Sequence, residues 1–306
     1  MPSNIIGTIH IDAALTKLAI GYQNEEMIAD LVMPRVKVAK ESDKYYVYDK
    51  SNFRTGEDDL WARGTEPHEV QLRISDDSYA CVRRALEEFV DNDDVKNADA
   101  PIDPMRDATF DLVERLRIKA EKRVATAIRT VANNGGTASP ADKWDDYANS
   151  DPIGDVKAGI ISVRGRIAKR PNTVIFPWSV YETLKDHPDF TDRIKYTQIG
   201  VVTSKLMASI FEVANVRIAG ALENTAVEGQ PDVLADVWGD DVWIGYVAPK
   251  PGIKVVSWGY QFTWQTWMTE RYADFKRRGQ VVRQSINDTQ KVVAADAGYL
   301  LTDTLT

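Results

Sequence analysis

The clearest hydrophobic pattern in the chain lies between Pro104 and Ala132. Apolar residues recur there three to four positions apart, the spacing of one helical face, at Met105, Ala108, Leu112, Leu116, Ala120, Val124, Ala127 and Val131. Asp103 stands at a capping position, and the Asn-Asn-Gly-Gly stretch at 133–136 ends the pattern. The sequence predicts a helix over 104–132, roughly 40 Å long at 1.5 Å per residue. It is either an ordinary amphipathic helix of one domain or a spine that joins two.

The other face of this helix is dense in charge and is expected to face solvent. The charged residues are Glu114, Arg115, Arg117, Lys119, Glu121, Lys122 and Arg123.

Before the helix, the pattern is that of β-strands separated by a long polar stretch. Val36 and Val38 alternate with polar or small residues, 45–48 is an aromatic run, and Val70, Leu72 and Ile74 alternate again. The stretch between them, SNFRTGEDDLWARGTEP, carries exposed-looking apolar residues. Two strands cannot bury such residues alone. We therefore expect a long hairpin over 34–80 that lies on another subunit; the alternative is a hairpin packed on its own domain.

Residues 1–33 form a separate arm in this interpretation. One short helical face is indicated by Ile11, Leu15 and Leu18, and a second by Met27, Ile28, Leu31 and Val32. An arm that buries these side chains lies on its own domain or on a neighbour.

After the long helix, helical and strand patterns alternate. A second helix is predicted over 153–167 with Asp151 as its cap, another after Pro177, and a fourth capped by Thr203. Strands are predicted at 173–176, 216–221, 233–238 and 242–247, the last two flanking a tight turn at 239–241. This mixture predicts a compact α/β or α+β domain around one sheet.

Strands return towards the C-terminus. Tyr260, Phe262, Trp264 and Met268 share one side of a predicted strand, and we expect that side to pack against the long helix. A further strand is predicted over 281–293. The segment at 91–101 is predicted to be a turn-rich acidic link.

Candidate chemistry is sparse. The three histidines lack metal-ligand spacing, the glycines form no phosphate-binding loop, and paired aspartates stand in turn-like contexts. Cys81, the single cysteine, is expected to be buried and inert. We predict no catalytic, cofactor-binding or metal-binding residue and no enzymatic activity. The net charge of −8 gives no sign of a nucleic-acid-binding surface, and no signal peptide or membrane span is expected.

The order of these parts, together with the phrases KYYVYDKSNF, WARGTEP, NADAPIDPMRDATFDLVERL and WIGYVAPKPG, resembles the major capsid proteins of tailed double-stranded DNA phages. These proteins have the Hong Kong ninety-seven type of fold. The resemblance implies an α+β fold with an N-terminal arm (1–33), an E-loop β-hairpin (34–80) and a peripheral domain (81–150) that includes the spine helix 104–132. A central α/β domain (151–255) follows, and strands at 256–306 return to the peripheral domain.

The resemblance also implies a function. The chain would assemble with itself into pentamers and hexamers of an icosahedral head that encloses double-stranded DNA without sequence-specific binding. Portal, scaffolding and decoration proteins would be its partners, no membrane or cofactor would be involved, and assembly would take place in the host bacterial cytoplasm. Contacts between subunits are expected at Tyr46, Tyr48, Phe53, Trp61 and Arg63.

Two alternatives stay open. One is an encapsulin-like compartment, which shares the fold but encloses enzymes. The other is a soluble α/β enzyme whose active site leaves no recognisable motif.

Overall fold

The computed structural model of the protein describes residues 24, 26–50, 53–56, 59–70, 74–99, 102–194, 202–227, 229–252 and 254–306. The predicted helical face at Ile11, Leu15 and Leu18 lies outside these residues. The described helices are α1 (Ala29–Val32), α2 (Asn92–Asn97), α3 (Pro104–Arg129), α4 (Pro152–Ile167), α5 (Trp178–Asp186), α6 (Pro188–Ile194) and α7 (Ser204–Phe211). The described strands are β1 (Arg35–Lys37), β2 (Ser42–Tyr48), β3 (Ile74–Ala80), β4 (Val82–Asp91), β5 (Gly136–Ala138), β6 (Thr173–Pro177), β7 (Asn215–Ala219), β8 (Leu222–Asn224), β9 (Leu234–Asp236), β10 (Val242–Gly245), β11 (Gly259–Asp274), β12 (Gly279–Val292) and β13 (Gly298–Leu301).

Two main sheets organise the described chain. One has the order β1-β11-β12-β4 and is built on the long antiparallel pair of β11 and β12. The other has the order β5-β13-β10-β6-β7. Two further pairs stand apart from them: β2 with β3, and β8 with β9.

The long helix α3 begins as the sequence predicts. The Asp103 carboxylate accepts hydrogen bonds from the backbone N–H groups of Met105 (3.1 Å) and Arg106 (3.2 Å), which would otherwise lack helical partners. The helix ends at Arg129, before the predicted end at 132, and a short 3₁₀ turn follows. Val131 is consequently 50% exposed instead of continuing the buried face.

The buried face of α3 also turns further round the helix than the pattern indicated. Towards the C-terminal end it contains Ala125 and Ile128 in place of Ala127 and Val131. Glu121, which was expected to face solvent, is buried.

The two ends of α3 pack into different cores, which supports the spine interpretation. Near its start, Leu112 packs with Val90 and Val282 of the four-stranded sheet. Near its end, Val124 and Ile128 join a core cluster that also includes residues of the five-stranded sheet. One rigid helix therefore connects the two sheets.

A layer of helices covers the five-stranded sheet as predicted. α4, α5 and α7 contact its strands. The Asp151 carboxylate caps α4 through the N–H of Gly154 (2.7 Å), and the Thr203 hydroxyl caps α7 through the N–H of Leu206 (3.3 Å). The sequence did not predict α6, and α2 lies where only a link was expected.

Strand pairing departs from the predicted order at two places. The strands on either side of the turn at 239–241 belong to different sheets, because β9 pairs with β8 whereas β10 pairs with β6 and β13. The last strand, β13, pairs with β10 and β5, so it belongs to the five-stranded sheet and not to the four-stranded one.

The aromatic side of β11 does not face α3, contrary to the prediction. Tyr260 and Phe262 pack with Tyr79 and Cys81 at the start of the β2–β3 pair. Trp264 also packs against this cluster, whereas register shifts after Thr263 interrupt the alternation and Met268 is 43% exposed.

Candidate subunit interface

The β2–β3 pair and the described residues between its strands are called the ribbon below. Its register runs from Ser42 opposite Ala80 to Tyr48 opposite Ile74. The ribbon is shorter than the predicted hairpin 34–80, because β1, which lies within that range, pairs in parallel with β11 instead. The backbone of β1 is thereby hydrogen-bonded into the four-stranded sheet, and the ribbon begins only after β1.

The base of the ribbon is fixed to its own subunit. The rings of Tyr79 and Phe262 stack with centroids 4.6 Å apart. The Tyr45 hydroxyl donates a hydrogen bond to the Asp77 carboxylate (2.6 Å). The same carboxylate forms an ion pair with Lys291 at 3.1 Å. Burial raises the pKa of Tyr45, whereas the hydrogen bond from Tyr45 lowers the pKa of Asp77. The phenol therefore stays protonated and the carboxylate stays charged, which keeps this contact intact at neutral pH.

Further along, the ribbon touches the body of the subunit at two more points. The Lys254 ammonium lies 5.2 Å from the centre of the Tyr48 ring, and Lys50 pairs with Asp296 at 2.5 Å. Tyr48, one of the predicted interface residues, is thus partly covered by its own chain. Tyr46 is 76% exposed.

The end of the ribbon presents apolar side chains to solvent. We call residues 53–56 and 59–70 the ribbon tip; its large exposed apolar residues are Phe53, Leu60, Trp61 and Val70. Arg63 is exposed among them. Several large apolar side chains exposed along one segment are typical of a surface that binds a partner.

Trp61 is held in place although its ring is open to solvent. Its indole N–H donates to the Thr65 carbonyl (2.6 Å), and the Thr65 N–H donates to the Ala62 carbonyl (3.2 Å). Gly64 adopts a positive φ of 87° in this turn, a conformation that glycine reaches without strain. The ring is 69% exposed. A fixed, exposed indole is the kind of side chain that anchors protein interfaces.

The predicted interface residues therefore differ in whether they face solvent or contact their own chain. Tyr46, Phe53, Trp61 and Arg63 are exposed on the ribbon, whereas Tyr48 contacts Lys254 of its own chain. Leu60 and Val70, which the prediction omitted, are exposed beside them. Phe275, at the turn between β11 and β12, is 90% exposed and was also missed. An apolar ring followed by three basic residues in the sequence could have indicated an exposed side chain there.

One arrangement in the central region superficially resembles a hydrolase site. The Ser150 hydroxyl lies 3.0 Å from Nε2 of His187, and the Asp189 carboxylate lies 3.7 Å from Nδ1. However, the Asp189 N–H donates to Nδ1 (3.1 Å), so the ring proton is on Nε2 and points at the serine. Ser150 in turn donates to the Asp146 carbonyl (2.6 Å). A general base requires the opposite tautomer.

Burial also affects two titratable groups among the described residues. Burial lowers the pKa of His187 and raises the pKa of the Cys81 thiol, so both groups stay neutral near pH 7. Among the described residues, no group of three or more acidic, histidine or cysteine side chains is placed to bind a metal ion. No helix in the described part of the chain is long and apolar enough to cross a membrane.

Comparison with known proteins identifies the family. A family model described as phage capsid protein matches residues 85–290. The chain is also 30% identical over 304 residues to the major capsid protein of Burkholderia phage BcepMu, with 95% of both chains covered. It belongs to the phage capsid protein family. The major capsid protein of Pseudomonas phage JBD67 is 28% identical over 299 residues, covering 94% of this chain and 95% of the relative.

Solved structures agree with this assignment. A phage-related protein from Bordetella bronchiseptica RB50 has a TM-score of 0.71 and 25% identity, covering 92% of this chain and 94% of that one. The capsid of cyanophage P-SCSP1u gives a TM-score of 0.62 at 12% identity, covering 96% and 92%. A virus-like particle from Pyrococcus furiosus gives 0.55 at 10% identity, covering 89% and 90%. The last two share the fold alone.

The resemblance predicted from the sequence is therefore confirmed. The protein is a tailed-phage major capsid protein with the α+β capsid fold of the Hong Kong ninety-seven type. It forms a capsid shell by self-assembly and is a component of the virion.

Proposed function

We propose that this capsid protein joins its neighbours through the ribbon tip, with Tyr46, Phe53, Trp61 and Arg63 in the contact. The tip of one copy lies on the body of the next copy, and repeated contacts of this kind build the pentamers and hexamers of an icosahedral head. The observation that supports this most strongly is the fixed, exposed indole of Trp61.

The energetics favour such a contact. Burying one large apolar side chain contributes about 1.5–3 kcal/mol, and the tip offers four: Phe53, Leu60, Trp61 and Val70. Association also costs rotational and side-chain entropy. The anchored base at Tyr79 and Phe262 reduces that cost, because the ribbon is held in one orientation before a neighbour arrives.

Tyr48 has a different role in this proposal. The Lys254 ammonium of the same subunit lies over its ring, and nearby in the sequence Lys50 forms an ion pair with Asp296. These two contacts support the ribbon from its own body, so Tyr48 directs the tip and contributes less to the contact with a neighbour.

The head encloses double-stranded DNA in this proposal without reading its sequence. The net charge of −8 suits a container, since a strongly basic inner wall would retain the packaged DNA. Portal, scaffolding and decoration proteins complete the particle, and assembly takes place in the host bacterial cytoplasm.

The alternatives are less well supported. Membership of the capsid family favours a structural role over an enzyme without a motif. The encapsulin-like compartment shares the fold, but the relatives at 28–30% identity are phage major capsid proteins. Protein cargo in place of DNA inside particles isolated from cells would favour the compartment.

Purified full-length protein tests the proposal directly. Light scattering and negative-stain microscopy should show closed shells of many copies at a protein concentration where the Trp61→Ala variant remains dissociated. A Trp61→Ala protein that forms shells at the same concentration as the unaltered chain would contradict the proposed contact.

A further inference from the structure

Glu121 is an unusual residue for the middle of a charged helix. It was expected to face solvent, yet only 1% of its surface is exposed. Its carboxylate accepts three hydrogen bonds, from the backbone N–H groups of Ile28 (2.9 Å) and Ala29 (2.8 Å) and from the indole N–H of Trp238 (2.9 Å). Both carboxylate oxygens are used, because Oε1 accepts from Ile28 and Trp238 while Oε2 accepts from Ala29.

These three donors come from two different parts of the subunit. Ile28 and Ala29 belong to the chain segment that precedes β1, and Trp238 belongs to the loop between β9 and β10. Glu121 itself is on the spine helix α3. One carboxylate therefore connects the arm segment, the spine and the central region.

The segment 26–33, together with Asn24, also makes hydrogen bonds to the spine helix and to strands on either side of it. The backbone N–H of Asn24 donates to the Glu114 carboxylate (3.0 Å), and its side-chain amide donates to the Leu222 carbonyl (2.9 Å). At the other end, the Gln261 amide donates to the Met33 carbonyl (3.0 Å). The segment thus crosses from β8 over the spine to β11.

The segment is also packed into the core. Ile28, Val32 and Met33 are buried in the cluster that contains Val124 and Trp258. Ile28 precedes α1 but has no polar side-chain atom with which to cap it. The carboxylate of Glu121 supplies the acceptors that the first amides of α1 would otherwise lack.

Burial makes a charged carboxylate costly at this position. Burial raises the pKa of Glu121, and nearby Asp30 raises it too, whereas the three donors lower it. The donors face both oxygens, so an amide side chain cannot replace the carboxylate without placing an NH₂ group against an N–H donor. Each hydrogen bond to a charged acceptor is stronger than a neutral one.

We propose that Glu121 is a positioning residue that locks the segment 26–33 between the spine and the central region. This lock sets the angle between those two parts and fixes the position of the segment 26–33 on the spine. In the function proposed above, the ribbon tip of one copy lies on the body of the next, so this angle would also set the curvature of the shell. This last step rests on the function proposed above; the lock within one subunit does not.

The test compares Glu121→Gln with Asp111→Asn, a matched change at an exposed acid of the same helix that pairs with Arg115. Hydrogen–deuterium exchange of the dissociated full-length subunit should show the amides of segment 26–33 exchanging about 10- to 100-fold faster in Glu121→Gln. Asp111→Asn should exchange at the rate of the unaltered chain. Particles assembled from Glu121→Gln should also span a wider range of diameters.

Each result decides a different step. Unchanged exchange in segment 26–33 would overturn the lock, and faster exchange with particles of uniform, unaltered diameter would overturn the link to curvature. If Glu121→Gln does not fold, Trp238→Phe removes one donor only, and the same amides should exchange faster in it by a smaller factor. If the unaltered chain forms no particles, the proposed function fails while the exchange comparison still tests the lock.

Discussion

Replacing Trp61 with alanine separates folding from assembly, because the indole is exposed in the subunit. A tryptophan side chain buries about 150–250 Å² when fully covered, and 69% of this residue is exposed. Covering that share at a neighbour removes roughly 100–170 Å² of surface from water, worth about 2.5–4.3 kcal/mol at 25 cal/mol per Å². Each contact in the Trp61→Ala shell is expected to be weaker by that amount.

The stability of the subunit should change far less. Substitutions at exposed positions usually alter the free energy of unfolding by about 0.5 kcal/mol or less. The variant also loses the hydrogen bond from the indole to the Thr65 carbonyl; this bond orients the ring within the exposed tip, so its loss is local and should change the free energy of unfolding of the whole subunit little. We expect far-UV circular dichroism and guanidinium unfolding of Trp61→Ala to match those of the unaltered subunit.

The assay is assembly from dissociated subunits, followed by light scattering over a range of protein concentrations. The threshold concentration for shells should rise by about 100-fold or more in Trp61→Ala. Trp61→Phe keeps most of the ring but loses the N–H donor, so its threshold should lie between the two. Equal thresholds for all three proteins would refute the assignment of Trp61 to the contact, and an unfolded Trp61→Ala subunit would refute its placement as an exposed side chain.

Three further predictions concern the subunit itself. Leu184→Ala removes a fully buried side chain of the central core and should lower the free energy of unfolding by about 2–5 kcal/mol in guanidinium titrations. Gly239→Ala should destabilise by about 1–2 kcal/mol, because Gly239 has a φ of 65° and a Cβ there would lie 2.9 Å from the Arg129 guanidinium; unchanged unfolding would contradict this. Burial lowers the pKa of His187 in the folded state, so the unfolded chain binds the proton first and stability should fall as the pH drops below the ordinary histidine value of 6.5. The slope of unfolding free energy against pH in that range should be smaller in His187→Asn, and equal slopes would argue against this.

The sequence was most informative where local patterns decide the structure. The three-to-four spacing and the Asp103 cap predicted α3 to within three residues at its end, and the same reasoning placed α4 and α7 with their caps. These features depend on neighbouring residues alone. The exposed apolar residues of the ribbon tip were likewise visible, because a polar stretch that carries Trp61 and Phe53 offers them no local partner.

Pairings between distant residues were not predictable in the same way. The sequence places β9 and β10 on either side of a turn, but the choice of partner strand depends on β8, β6 and β13 elsewhere in the chain. The aromatic side of β11 was assigned to the spine because periodicity identifies a face without identifying what covers it.

Glu121 illustrates the same limit at a single residue. A glutamate among six other charged residues is normally solvated, and its burial depends on amides 92 and 93 positions away and on an indole 117 positions away. Tyr48 is a smaller example, since Lys254 lies far along the chain. Only the folded arrangement reveals these contacts.

The contact between subunits requires that the ribbon tip becomes covered when the shell forms. Hydrogen–deuterium exchange of residues 53–56 and 59–70 can be compared between dissociated subunits and assembled shells of the unaltered chain. We expect these amides to be strongly protected in the shell and to exchange rapidly in the subunit. Equal exchange in both states would show that no neighbour covers the tip and would contradict its assignment to the contact between subunits.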